Sequence, residues 1–242
     1  MEIIIYKTEE ELLSAFANYF INTAQNAIDE HGLFNVVLAG GNSPKKIYQL
    51  LASPLFSDQI DWSKLFFFFG DERYVPFNDL ENNANMVQQT LFDPLKIAAE
   101  NIFKMNTSLS PEECAATYIK DISNHFKGKE IHFDLVILGL GENVHTASLF
   151  PYHSVLTKHT ATVKEIYLEE ENRYRITMTA PLISAAHEVA FLVYGENKAK
   201  AVRHVIKNEK NIQKYPAQLI QPANGNLKWF LDEKAASDLE KN

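Results

Sequence analysis

Residues 133–145 read FDLVILGLGENVH. An almost wholly apolar run, Phe133–Leu138, breaks at Gly139 and Gly141 and then presents Glu142, Asn143 and His145. A run that is apolar at nearly every position, rather than at every second one, suits a strand covered on both faces, as in a parallel sheet. The glycines let the chain turn sharply where that strand ends. The same pattern recurs in VVLAGGNSPK (36–45), FFFFGDER (66–73) and FLVYGENK (191–198). In a parallel sheet the carboxyl ends of the strands share one edge, and ligands bind in the crevice outside it. Turn chemistry accounts for any one of these loops. Four of them, with complementary charged residues, point to a site.

Helical and extended signals alternate along the rest of the chain. Glu2–Tyr6 is a short strand, and Glu9–Glu30 carries helical apolar spacing that stops at His31–Gly32. Strands follow at Phe34–Ala39, Leu65–Phe69, Arg175–Thr179 and Val189–Tyr194, with helices at Asn82–Leu95, Ser110–Phe126 and Asn197–Ile206. Another helix opens at Ser43–Pro44, with Asn42 or Ser43 as its cap. Tyr152–Tyr174 is the least regular stretch and reads as an excursion or the edge of a small subdomain. This alternation predicts an α/β fold: an open, mostly parallel sheet with helices on both faces, a three-layer α/β/α arrangement of Rossmann-like type. The 242 residues, 46% hydrophobic, show no linker and are expected to form one domain spanning 1–242.

Composition excludes several classes. The net charge of -8, with no basic stripe, argues against a nucleic-acid surface. The longest apolar run, LFFFF, is far too short to span a bilayer, and the N-terminus lacks a signal-peptide pattern. The single Cys114 excludes an internal disulfide and suits a cytoplasmic protein. No metal site is expected, because the histidines lack ligand spacing.

The four loops bring Asn42, Ser43, Asp71, Glu72, Arg73, Asn143, His145 and Lys198 to one side of the sheet. GGNSPK sets backbone N–H groups at a helix N-terminus, suited to an anion, but lacks the P-loop pattern. GLGENV has Val144 where a dinucleotide fingerprint needs its third glycine. In GDER, Arg73 is either part of a local ion-pair network or a planar fork for a phosphate or oxyanion. His145 is either a structural hydrogen-bonding residue or a general base at neutral pH. No Ser nucleophile elbow is present and Cys114 lies in a helix, so water is the expected nucleophile of a hydrolase.

GGNSPKKIYQLL, DWSKLFFFFGDERYVP, FDLVILGLGENVHTASLFP and RITMTAPLISAAHEVAFLVYGENKAKAV together resemble the 6-phosphogluconolactonase family, in order over about residues 5–240. The resemblance implies an open α/β/α parallel-sheet fold shared with glucosamine-6-phosphate deaminases. It also implies hydrolysis of 6-phospho-D-glucono-1,5-lactone, the second step of the oxidative pentose phosphate pathway, without metal or organic cofactor. The expected partner is a phosphorylated sugar lactone, with neither nucleic acid nor membrane, in a monomer or homodimer. By the same resemblance His145 is the general base, with Arg73, Asn143 and Asp71 in the catalytic group. Gly40, Gly41, Asn42, Ser43, Glu72, Arg175 and Lys198 are the expected substrate-binding residues.

One departure matters. The family text G-E-D-G-H reads Gly141–Glu142–Asn143–Val144–His145 here, so an amide replaces the aspartate expected to support the histidine. An amide oxygen can fix the imidazole tautomer but cannot stabilise imidazolium as a carboxylate does. Val144 replaces a glycine; either the turn follows a different path, or that glycine never needed positive φ. Two rivals stay open. One is an amino-sugar-phosphate isomerase or deaminase on the same fold, against which GDERYVP and HTASLFP speak; the other is a non-catalytic sugar-phosphate binding protein.

Overall fold

The computed structural model describes residues 1–223 and 225–240; Asn224 and residues 241–242 of the expected 1–242 domain lie outside the described residues. After β1 (Glu2–Tyr6), α1 (Glu9–His31) is fixed at both ends. The Thr8 hydroxyl accepts from the Glu11 N–H, and three glutamates occupy the electropositive first turn. Gly32 closes the helix at φ 89°, donating to the Ile28 carbonyl. Next come β2 (Phe34–Leu38), α2 (Asn42–Leu51), β3 (Leu65–Phe69) and β4 (Asp71–Arg73).

The helical signal over Asn82–Leu95 resolves into α3 (Asn83–Val87), a π-helical turn at Gln88–Phe92, and α4 (Asp93–Leu95). Pro94 supplies the reason. It has no N–H for the Thr90 carbonyl, so the regular ladder cannot run through it. α5 (Pro111–His125) begins with a full capping box between Ser110 and Glu113. β5 (Leu135–Leu138), β6 (Val163–Leu168), β7 (Arg173–Met178), α6 (Ala180–Ser184), β8 (Glu188–Val193), α7 (Ala199–Ile206), β9 (Leu227–Asp232) and α8 (Glu233–Ala236) complete the order.

Six strands form one sheet in the order β1-β9-β8-β5-β2-β3, and every neighbouring pair is parallel. The chain runs from β1 through β2 to β3 in one direction, then back through β5 and β8 to β9. Right-handed crossovers put those two sets of connections on opposite faces. β2 and β5 are accordingly buried at every position. The direction reverses between β2 and β5, so the connections leaving these neighbours diverge and open a crevice at their carboxyl ends. The expected α/β architecture is what the structure has.

β3 is an edge strand, yet its backbone is covered. Phe103 donates to the Phe67 carbonyl at 2.9 Å, and Asn101 Nδ2 to the Leu65 carbonyl at 2.9 Å. The buried Tyr118 hydroxyl of α5 accepts from the Phe69 N–H at 2.7 Å and lies 3.2 Å from its carbonyl. Tyr48 of α2 does the same for Ala39 just past β2, at 3.0 and 2.8 Å. Two tyrosines thus finish the backbone bonding where two strands end.

The remaining strands form a second sheet, β4-β7-β6, entirely antiparallel. It takes in GDER, which reads in sequence as a loop, and the 175–179 strand; β6 lies inside the irregular 152–174 stretch. No helix among the described residues is long and apolar enough to cross a membrane.

Candidate active site

A pocket of about 360 Å³ opens at the carboxyl ends of β2, β5 and β8. It is lined by Gly40, Gly41, Asn42, Ser43, Asp71, Arg73, His145, Arg175 and Lys198. Nine sequence-predicted residues therefore meet in one place.

His145 sits in a tight loop. Gly141 donates to the His145 carbonyl at 2.8 Å, and Val144 to the Gly141 carbonyl at 2.9 Å. The imidazole lies between the Gly141 backbone and the Phe150 ring, whose centroid is 4.3 Å away at 23°. A Cβ on Gly141 would stand 2.2 Å from the ring's Cε1 and Nδ1, so only glycine admits the imidazole there. Asn143 Oδ1 is hydrogen-bonded to Nδ1. With that oxygen as acceptor, Nδ1 carries the proton and Nε2 the free lone pair. Burial pushes the His145 pKa down to about 4; Lys198 and Arg175 push the same way, and Asp71 and Glu171 oppose them. The ring is neutral at pH 7.

Val144 adopts the positive φ that a β-branched residue rarely takes. It holds φ 69° with a β-branched, 3%-exposed side chain. Ala147 is left-handed too, at φ 46°, so two strained residues bracket His145 and Thr146. The neighbouring contacts hold them: Ala217 N–H donates to the Val144 carbonyl, and the Thr146 hydroxyl to the Gly139 carbonyl at 2.8 Å.

The second wall comes from the small sheet. Side chains alternate along β4, so Asp71 and Arg73 face one way and Glu72 the other. Glu72, expected among the binding residues, is instead 1% exposed and turned from the pocket. Its carboxylate accepts from the backbone N–H groups of Arg73, Asn83 and Ala84 at 2.7–2.9 Å, anchoring the start of α3. Burial raises its pKa to about 7 against those bonds. Glu72 is structural.

Asp71 Oδ2 accepts from the Ser148 hydroxyl at 2.6 Å. It is also the largest influence favouring protonated His145. Glu142, the carboxylate next to Asn143 in the loop, takes a bond from Asn197 Nδ2 at 2.7 Å. Arg73 Nη1 donates to the Glu81 carbonyl at 2.8 Å, and the β4–β7 register sets Arg73 directly opposite Arg175. Lys198 ends the short helical turn Glu196–Lys198, and burial lowers its pKa.

The helix cap differs from the expectation as well. Gly41, not Asn42 or Ser43, is the N-cap of α2, at φ 95°, and no side chain caps the first turn. Only glycine takes that conformation freely, and the side chains of Asn42 and Ser43 are left for the pocket. A Cβ on Gly40 would meet Asn83 Oδ1 at 1.9 Å, because the Asn83 side chain crosses there to donate to the Asp71 carbonyl at 3.0 Å.

The family model for glucosamine-6-phosphate isomerases/6-phosphogluconolactonase matches residues 7–229. The chain belongs to this family. A 6-phosphogluconolactonase of Synechocystis sp. is 38% identical over 88% of this chain and 88% of its own. One from Haemophilus influenzae is 33% identical over 97% of this chain and 98% of its own. The solved 6-phosphogluconolactonase of Trypanosoma cruzi superposes with a TM-score of 0.85 at 25% identity, covering 99% and 97% of the two chains.

The His145 loop of this chain carries an amide, Asn143, where the resemblance expects a carboxylate. Sequence reading missed Ser148, Asn83 and Glu171. Ser148, inside HTASLFP, and Asn83, inside the ENN that follows GDERYVP, lay in stretches that the resemblance covers. Glu171 pairs with Arg175 four residues on, and both reach the pocket through the pairing of β7 with β4.

Proposed function

We propose that the chain hydrolyses 6-phospho-D-glucono-1,5-lactone to 6-phospho-D-gluconate, with His145 as general base toward water. The carrying observation is a neutral imidazole, fixed through Nδ1 by Asn143, in a pocket that also holds Arg73, Arg175 and Lys198. The names of the relatives support the reaction.

Nε2 takes the proton as water attacks the lactone C1 carbonyl. The oxyanion that forms is stabilised by a cation of the pocket, Arg73 in our assignment. The phosphate is held by the remaining cations and the free N–H groups of Asn42 and Ser43 at the start of α2. Protonated His145 then returns its proton to the departing ring oxygen. Asp71 supplies the negative field that Asn143 cannot, because its influence favours the imidazolium. Glu72 has no part in binding. We further infer a single domain over 1–242, as monomer or homodimer, working in the cytoplasm with neither nucleic acid nor membrane as partner, consistent with a net charge of -8.

Replacing His145 by Ala tests the reading. General-base catalysis is worth ~10²–10⁴-fold, so kcat should fall by about that factor once spontaneous lactone hydrolysis is subtracted. Undiminished kcat removes His145 from the role.

A further inference from the structure

Arg73 and Arg175 face each other across β4 and β7, and both line the pocket. Like charges directly opposed on antiparallel strands destabilise the pair, so a neighbouring anion is favoured. Glu171 is that anion. It closes the short helical turn Glu169–Glu171, and Asn172 at φ 51° reverses the chain so that the carboxylate returns toward β7. Arg175 Nη2 donates to Glu171 Oε2, while Arg175 Nε is buried without a partner.

The two members of this pair differ in freedom. The Arg175 side chain is 10% exposed and the Glu171 side chain 36%. The same Glu171 oxygen lies 3.8 Å from Arg173 Nε on the rim, and Arg173 is itself held by Glu81. The carboxylate therefore stands between an inner arginine and an outer one. A phosphate entering the pocket brings a second anion to the inner guanidinium, and two anions at one fork repel each other. Glu171, the more exposed member, can turn to water or to Arg173, whereas the buried Arg175 cannot, so the carboxylate is the partner that yields to a dianion.

We propose that Glu171 is a displaceable counter-anion: it holds Arg175 until the phosphate of a sugar-phosphate substrate takes its place, then turns outward to Arg173. Glu171 thereby sets selectivity, because a dianionic phosphate can displace it and a neutral sugar lactone cannot. The inference deepens the sugar-phosphate reading and rests on it for the substrate class.

Calorimetric binding of inorganic phosphate and of 6-phosphogluconate to wild type, E171Q and R173Q tests it. E171Q should tighten both ligands roughly fivefold, the factor that about 1 kcal/mol of lost competition from the carboxylate gives. Its KM for the phosphorylated lactone should fall, with no matching change for unphosphorylated gluconolactone. R173Q should weaken phosphate binding, because the carboxylate loses its outer seat. Weaker binding by E171Q makes Glu171 a positioning residue for Arg175 and overturns the proposal, as does unchanged binding. If E171Q fails to fold, R173Q decides, and tighter or unchanged phosphate binding there overturns it. None of the binding measurements needs turnover. A protein that never exceeds the spontaneous hydrolysis rate sinks the lactonase reading alone.

Discussion

At His145 the chemistry turns on which protonation state the fold favours. Burial beside two cations pushes the imidazole down to about 4, and only the deprotonated ring can accept a proton from water. Activity is therefore kept above that value and lost as pH falls through it. The profile of kcat/KM against pH should stay level from about 7 down to 5 and drop near about 4. The acid limb of kcat should lie higher, because a bound phosphate offsets Lys198 and Arg175. N143D sets a carboxylate against Nδ1 and should move both limbs upward by roughly one to three pH units. An unmoved limb would show that Asp71 already governs the ring. His145 was legible as a polar residue following a glycine-broken strand. The left-handed backbone of Val144 was not, because nothing local in a valine announces φ 69°. The buried contacts around it impose that conformation.

Among the elements, β4 shows the limit of pattern reading. Alternation says that Asp71 and Arg73 share a face opposite to Glu72, but not which face meets the pocket. Pairing with β7 decides that, and β7 lies about a hundred residues onward in the chain. The strand ends make a second case. GDER and GGNSP were visible as breaks, while the tyrosines that complete those strands sit on α2 and α5. Tyr118→Phe leaves the buried Phe69 N–H and carbonyl without their hydroxyl. It should destabilise the fold by about 1–3 kcal/mol, or several degrees in thermal unfolding midpoint. An unchanged midpoint would mean that water replaces the hydroxyl and that the edge is open.

Across the whole molecule, the reversal of strand order between β2 and β5 sets the crevice, and the small sheet closes one side of it. Ligand binding should therefore tie the two sheets together. Unfolding of the wild type at ~100 times the 6-phosphogluconate Kd should need about 2.7 kcal/mol more than without ligand. K198A should lose much of that protection at the same ligand concentration. Protection unchanged in K198A would show that Lys198 does not meet the phosphate. The sequence by itself pointed to the parallel α/β sheet, because continuous apolar runs that alternate with helical spacing suit strands covered on both faces by helices. It also determined the edge that carries the site, because glycine and polar residues recur at one end of those runs. Only the tertiary structure decided that Glu72 belongs to the core, that Arg73 and Arg175 stand opposite each other, and that Glu171 lies between an inner and an outer arginine. Local pattern records which residues share a face. Pairing between distant strands fixes where that face points.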